Sequence, residues 1–323
     1  MSDTGTDAER AARRRSIPDH AREATWTAAD GHAIRRIDWH PASADAPRGS
    51  ILFMAGRGDG YEKYLETLAD WTGRGWRVTA ADWRGQAGSG RLGADAITGH
   101  IADFGDWVGD LAALWADWAA NTPAPHILAG HSMGGHIALR AVADGRLAPD
   151  AVILVAPMLG LHGPLPPAAM HAAARLAGSF GDLRRPAWKW SEKPGEPPVS
   201  RAHLLTHDAA RYADELWWRA ERPELVMGPG SWGWVVQAYA SMRRLMAPGV
   251  LERVKMPVLI LAAQNDKLVA YRAIAAAAAR LPDCRLVTFG PESHHEILRE
   301  VDAVRDRALA EIDSFLDSRA PPR

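Results

Sequence analysis

The stretch that decides the reading is HILAGHSMGGHIALR, residues 126–140. A short apolar run, His126 to Ala129, ends in Gly130-His131-Ser132-Met133-Gly134-Gly135, and a helical pattern follows. Gly-x-Ser-x-Gly alone is a weak signal, because any long chain can contain it. Between a buried strand and a helix it acquires a mechanism. There the sharp turn projects the serine at the carboxyl end of a sheet, and the flanking glycines remove Cβ atoms where strand and helix come close. The bland alternative is a tight turn with an incidental serine.

Working outward, the same strand–helix rhythm recurs. Residues 22–41 read as two strands around the Asp30-Gly31 turn. GSILFMAG (49–56), WRVTAADWRG (76–85), AVILVAPML (151–159), PVLILAAQND (257–266) and CRLVTFG (284–290) read as further strands. Helical spacing appears over 61–74, 103–120, 133–144, 270–281 and 297–317. With strand 126–130 this makes eight strands. Strands alternating with helices predict an α/β fold, with a doubly wound, mostly parallel sheet. The rhythm breaks once. Residues 160–250 are rich in Pro, Trp, Ala and charge and show no clear strand, so they read as a helical cap (lid) inserted after the sixth strand. The expected division is a tail at 1–21, a core at 22–159 and 251–323, and the cap at 160–250.

Composition bounds the function. The chain has 323 residues, is 47% hydrophobic and carries a formal net charge of −1, which gives no argument for a nucleic-acid partner. The single cysteine, Cys284, cannot form an internal disulfide and fits a reducing compartment; its apolar setting suits an inert core thiol. The N-terminal stretch has three consecutive arginines, Arg13 to Arg15, but no apolar run behind them. It therefore reads as a solvated or loosely helical tail. No apolar run reaches membrane-spanning length. The expectation is a soluble cytoplasmic protein.

A serine hydroxyl is a poor nucleophile unless an imidazole takes its proton and a carboxylate orients that imidazole. For a serine on such a turn the partners follow in chain order as carboxylate, then histidine. Asp266 stands at the end of the next core strand after the insertion. No carboxylate occurs between strand 151–159 and Asp182, so the strand before offers none. The histidine lies in FGPESHHEIL, where His294 and His295 compete. The oxyanion would be received by the N–H of Met133, after the nucleophile, and by one from the Gly-rich loop AGRGDGYEKY (55–64), where Arg57 is the candidate. Gly56, Gly58 and Gly60 are spaced by two, so no phosphate-loop fingerprint is present. His126, His131 and His136 are spaced by five and share no helix face, so no metal site is expected, and no cofactor. Fourteen tryptophans against five Phe and five Tyr are unusual. Trp188, Trp190, Trp217, Trp218, Trp232 and Trp234 crowd the insertion. Trp217, Trp218, Trp232 and Trp234 are read as an apolar substrate wall, against the alternative that they only dock the cap.

LAGHSMGGHIALR, FMAGRGDGYEKY, AADWRGQAGSGR, APMLG, GPGSWGWV, AAQNDKLV and HHEILRE together resemble the lysophospholipase and monoacylglycerol-lipase-like branch of the α/β-hydrolases, over roughly residues 25–318. The resemblance implies the α/β-hydrolase fold and serine-esterase chemistry through Ser132, Asp266 and His295. It selects His295 because in that branch the histidine precedes Glu-Ile-Leu, and it places the first oxyanion donor on Arg57. Its substrates would be small-molecule esters or lysolipids, with peripheral membrane contact through the cap. Two departures stand out. Ala55-Gly56 replaces the His-Gly of many lipases, and Ala87 stands where a glycine is common, which predicts a differently shaped turn. Asp82 and Arg84 read as loop anchors. The competing functions are a non-catalytic binding protein on this fold and a thioesterase or other acyl hydrolase.

Overall fold

A computed structural model describes residues 6–41, 47–163, 165–189 and 201–321. Eight strands form one sheet in the order β1-β2-β4-β3-β5-β6-β7-β8. They are β1 (Ala21–Thr27), β2 (Ala33–Trp39), β3 (Gly49–Met54), β4 (Trp76–Ala81), β5 (His126–His131), β6 (Ala151–Val155), β7 (Val258–Ala263) and β8 (Cys284–Phe289). From β4 to β8 neighbouring strands pair in parallel, whereas β1 and β2 form an antiparallel hairpin that joins β4 antiparallel. The expected fold is therefore the observed one.

The local causes are plain. β3, β6 and β7 are buried at every position, which is why their sequences are continuous apolar runs instead of alternating ones. β1 is half exposed and alternates. The helices that link the parallel strands are α2 (Leu65–Gly73), α3 (Phe104–Ala120), α4 (Met133–Ala143) and α9 (Tyr271–Ala278), and α10 (Asp302–Arg319) follows the last strand. The 61–74 pattern starts as a 3-10 turn, Tyr61–Tyr64, before α2. Four tryptophans, Trp71, Trp76, Trp83 and Trp107, are among the largest fully buried side chains; here tryptophan does the filling that Phe and Leu do in other cores.

Between residues 160 and 250 the described residues form no strand. They form α5 (Pro167–Gly178), α6 (Ala202–Leu205), α7 (Ala209–Glu221) and α8 (Trp232–Leu245). α8 enters the central core: Trp234, Ala238, Tyr239, Met242 and Leu245 are buried in the same cluster as the sheet residues. Inside that contact the Ser241 hydroxyl lies 2.6 Å from His136 Nε2 and accepts from Arg140 at 2.9 Å.

The chain start is helical, as one of its two readings had it, but it is docked and not solvated. Asp7–Arg14 is helix α1, and it docks on α7. Arg14 and Arg15 both donate to the Asp214 carboxylate, and the Trp218 indole N–H donates to the Arg14 carbonyl at 3.0 Å. Two of the three arginines in the basic run, Arg14 and Arg15, are thus spent on one buried carboxylate. Cys284 lies partly buried at the start of β8, and burial together with Asp283 pushes its thiol up to about 12, so it stays protonated.

Candidate active site

Ser132 sits between β5 and α4 with φ 50° and ψ −116°, a conformation that costs on the order of 1–3 kcal/mol for a non-glycine residue. The surroundings enforce it. The Ser132 N–H donates to the Val155 carbonyl at 2.9 Å, and its carbonyl accepts from His136 N at 3.0 Å and Met158 N at 2.9 Å. The glycines around it are steric necessities. A Cβ on Gly134 would lie 2.3 Å from the Met54 carbonyl oxygen, and one on Gly130 would lie 2.7 Å from Gly134 and Gly135 backbone atoms.

Asp266 and His295 come from the loops after β7 and β8. His295 Nδ1 lies 2.6 Å from Asp266 Oδ2. The other carboxylate oxygen accepts from Leu268 N at 2.7 Å and Val269 N at 3.0 Å. Burial works to raise the Asp266 pKa, but the adjacent His295 and those two backbone donors hold it below the usual carboxylate range. Both side chains are buried. Ser132 and His295 share the wall of one cavity of about 520 Å³. His294 is elsewhere. Its ring stacks on His207 at 3.7 Å, and its N–H donates to Glu300 at 2.7 Å. His207, His294 and Glu300 bring three potential ligand atoms within 4.8 Å of one another, and the Glu300 carboxylate is already engaged by the His207, His294 and Val301 backbone N–H groups.

The loop carrying Arg57 lies against the serine: a Cβ on Gly56 would come 3.4 Å from Ser132 Cβ. Met133 opens α4, where helix N–H groups lack partners within the helix. Gln86 ties these two places together. Its Oε1 accepts from Gly58 N at 2.7 Å, and its Nε2 lies 3.9 Å from Met133 Sδ. Gln86 was not singled out from the sequence. The turn that holds it does not show the altered shape that Ala87 suggested: Ala87 takes φ 43°, the left-handed conformation that glycine adopts more cheaply. Asp82 anchors that turn by accepting from Arg35 at 2.8 Å and from Gly88 N at 3.0 Å, and Arg84 pairs with Asp30 and Asp110.

A buried ionic network, also missed, lies behind His295. Lys63 contacts Asp59 at 2.8 Å, Glu215 at 3.0 Å and Glu296 at 2.5 Å. Arg299 pairs with Glu215 at 2.8 Å and with Glu296. Burial opposes ionisation throughout, yet Lys63 and Arg299 keep Glu296 down to about 2, and Lys63 and His131 keep Asp59 well below the carboxylate range. The Tyr64 hydroxyl donates to Asp59 at 3.0 Å and lies 2.8 Å from His131 Nδ1. The His131 ring in turn packs on His295 with centroids 4.8 Å apart. The sequence signal was an unpaired-looking lysine in an apolar helix start, YEKY, and a glutamate beside the histidine.

The aromatic wall is only partly as expected. Trp232 and Trp234 line the cavity, joined by Trp188. Trp217 and Trp218 do not: they face α1, with Arg15 over the Trp217 ring at 5.7 Å and Arg222 over Trp218 at 5.3 Å. The side of α7 that bears them covers the chain start instead of the cavity. Trp190 lies outside the described residues.

A family model described as Hydrolase_4, serine aminopeptidase S33, matches residues 45–302. The chain belongs to this family. It is 29% identical to lysophospholipase L2 of Escherichia coli K12, over 93% of this chain and 88% of that protein. It is 26% identical to phospholipase YtpA of Bacillus subtilis, over 70% and 79%. Of solved structures, a soluble variant of the Saccharomyces cerevisiae monoglyceride lipase bound to a substrate analogue superposes with a TM-score of 0.73 at 19% identity, covering 94% of this chain and 96% of that one; it shares the fold. The expected class, a carboxylic ester hydrolase on an α/β-hydrolase scaffold, is that of these relatives. Among the described residues no helix is long and apolar enough to cross a membrane.

Proposed function

We propose that this chain is a serine hydrolase that cleaves carboxylic esters with an apolar acyl group, of the lysophospholipase or monoacylglycerol-lipase type, through an acyl-enzyme. The observation that carries the reading is the 2.6 Å contact of His295 with Asp266 at a cavity shared with a serine held at φ 50°. In the proposed cycle Ser132 Oγ attacks the ester carbonyl and His295 Nε2 takes its proton. Asp266 keeps the Nδ1 proton of His295 in place and steadies the imidazolium. The Met133 and Arg57 N–H groups receive the oxyanion. His295 then protonates the departing alcohol, and water repeats the sequence on the acyl-enzyme.

The cavity supports an apolar acyl group. Trp188, Trp232, Trp234, Met158, Leu161 and Val235 line it, and such walls bury a chain while a few polar groups fix the reacting end. Residues 160–250 act in this reading as the cap that closes the site. Its contact with a lipid surface is assigned to the α5 region, where Leu176 and Phe180 are 64% and 70% exposed. Loss of liposome co-sedimentation in Leu176→Ser/Phe180→Ser is the expected result.

A fluorophosphonate probe should label the wild-type protein and leave Ser132→Ala unlabelled, and p-nitrophenyl ester hydrolysis should vanish with the label. A wild-type protein that takes no probe and cleaves no ester would make this a binding module. An aminoacyl p-nitroanilide in the same panel tests the peptidase activity that the family's description carries.

A further inference from the structure

The cavity wall is richer in positive than in negative charge. Arg57, Lys63, Arg201, Arg219 and Lys267 line it, against Asp59, Glu215 and Glu296. The three carboxylates are already taken, since each pairs with Lys63. Arg219 shares Glu215 at 2.6 Å. Arg57 stands apart. Among the described residues no carboxylate pairs with it. Its Nη2 donates to the Gly228 carbonyl at 2.8 Å, and its guanidinium lies 5.2 Å from the Trp188 ring centroid and 5.1 Å from that of Trp234. Its Nε is buried without a partner.

A cation in such a place is costly unless something compensates it. Two indole faces, one carbonyl and the Coulombic pull of Asp59, which Lys63 already holds, compensate it only in part, while the rings fix the guanidinium plane. Burial and the nearby Arg201 lower its pKa to about 9, so it still carries its charge at neutral pH. A planar guanidinium held rigid in a cavity wall, with its Nε unpartnered, matches an oxyanion such as phosphate.

We propose that the Arg57 side chain is an anion subsite of the Ser132 cavity, which takes a phosphate carried on the alcohol part of the ester. The inference rests on the ester-hydrolase reading above and adds a discrimination to it. One residue then has two duties: its N–H faces the carbonyl oxygen and its guanidinium holds the head group. Arg57 and Ser132 line the same cavity, and a Cβ on Gly56, the residue before Arg57, would lie 3.4 Å from Ser132 Cβ, so one bound ester can meet both. A neutral monoacylglycerol would leave the cation without its partner.

The test compares kcat/KM for lauroyl lysophosphatidylglycerol and 1-monolauroylglycerol, which share an acyl chain and differ in the phosphate. The wild type should favour the phosphate ester. In Arg57→Gln the ratio should fall about tenfold or more, chiefly through KM, as loss of a charge-assisted contact implies, and Arg57→Lys should restore part of it. A ratio unmoved in Arg57→Gln, with or without a lower Tm, overturns the proposal and leaves Arg57 a strap between loop and cap. A wild type that prefers the neutral ester overturns it too. If neither ester is cleaved and the fluorophosphonate does not react, the hydrolase reading fails, and the subsite is still judged by calorimetry on Ser132→Ala. There, dodecyl phosphate binding that disappears in Ser132→Ala/Arg57→Gln supports it. Binding that survives without Arg57, or inorganic phosphate binding as tightly as dodecyl phosphate, sinks it.

Discussion

Asp266 shows how much one carboxylate does. One oxygen meets His295 and the other fastens the turn at Leu268 and Val269. Asp266→Asn keeps the size and an acceptor for the turn but stabilises the wrong imidazole tautomer, so kcat should drop by up to about 10⁴ while circular dichroism stays unchanged. His294→Ala should leave kcat within about tenfold, because that ring stacks on His207 away from the cavity, whereas His295→Ala should abolish turnover. At this scale the sequence was largely legible. Ser132 and Asp266 stand at strand ends, which apolar runs reveal, whereas position left His294 and His295 open and the resemblance selected His295. Gln86 and Lys63 could not be found that way, since their partners, Gly58 and Glu215, are fixed only when distant loops meet. Trp217 and Trp218 misled because composition reveals that a helix has an aromatic face but not what that face covers.

Elements are where the turn at Ser132 and the network behind His295 are maintained. The β5–α4 junction has no room for a side chain at position 134, so Gly134→Ala should cost at least about 2 kcal/mol of unfolding free energy by chemical denaturation, the overpacking penalty plus local backbone displacement. Lys63 joins the 3-10 turn after β3, helix α7 and the His295 loop through three carboxylates. Lys63→Met removes the charge and keeps the apolar stem. It leaves those carboxylates buried with fewer partners, so a loss of about 3–5 kcal/mol is expected, as for broken buried pairs. The eight strands were visible because six of them are parallel and five of those are buried almost throughout, which writes them as nearly unbroken apolar runs. The helices of 160–250 were visible only as an absence of strands, and the docking of α1 was hidden because a basic run looks the same in solvent and against a buried aspartate.

For the whole molecule the charge pairs set the response to acid. Asp59 and Glu296 have folded pKa values below their unfolded ones. The unfolded chain therefore binds more protons, and stability rises with pH across that window. The contribution is complete above about pH 4.5, the upper end of the unfolded carboxylate range, and disappears as pH falls toward about 2, the folded value for Glu296. Urea midpoints measured from pH 6 down to pH 3 should fall, and less steeply in Glu296→Gln. The two sides of the 160–250 segment are fastened by different forces. α7 is held by ions: Arg14 and Arg15 on Asp214, and Arg211 on Glu66 and Asp302. α5 packs against α8 and leaves Leu176 and Phe180 to solvent. Those pairs are largely buried and salt screens them little, whereas acid loosens that flank by protonating Glu66, and sulfate tightens the other. Detergent would do the reverse, wetting the greasy flank and sparing the charged one, so the choice of buffer decides which side of the roof lifts first.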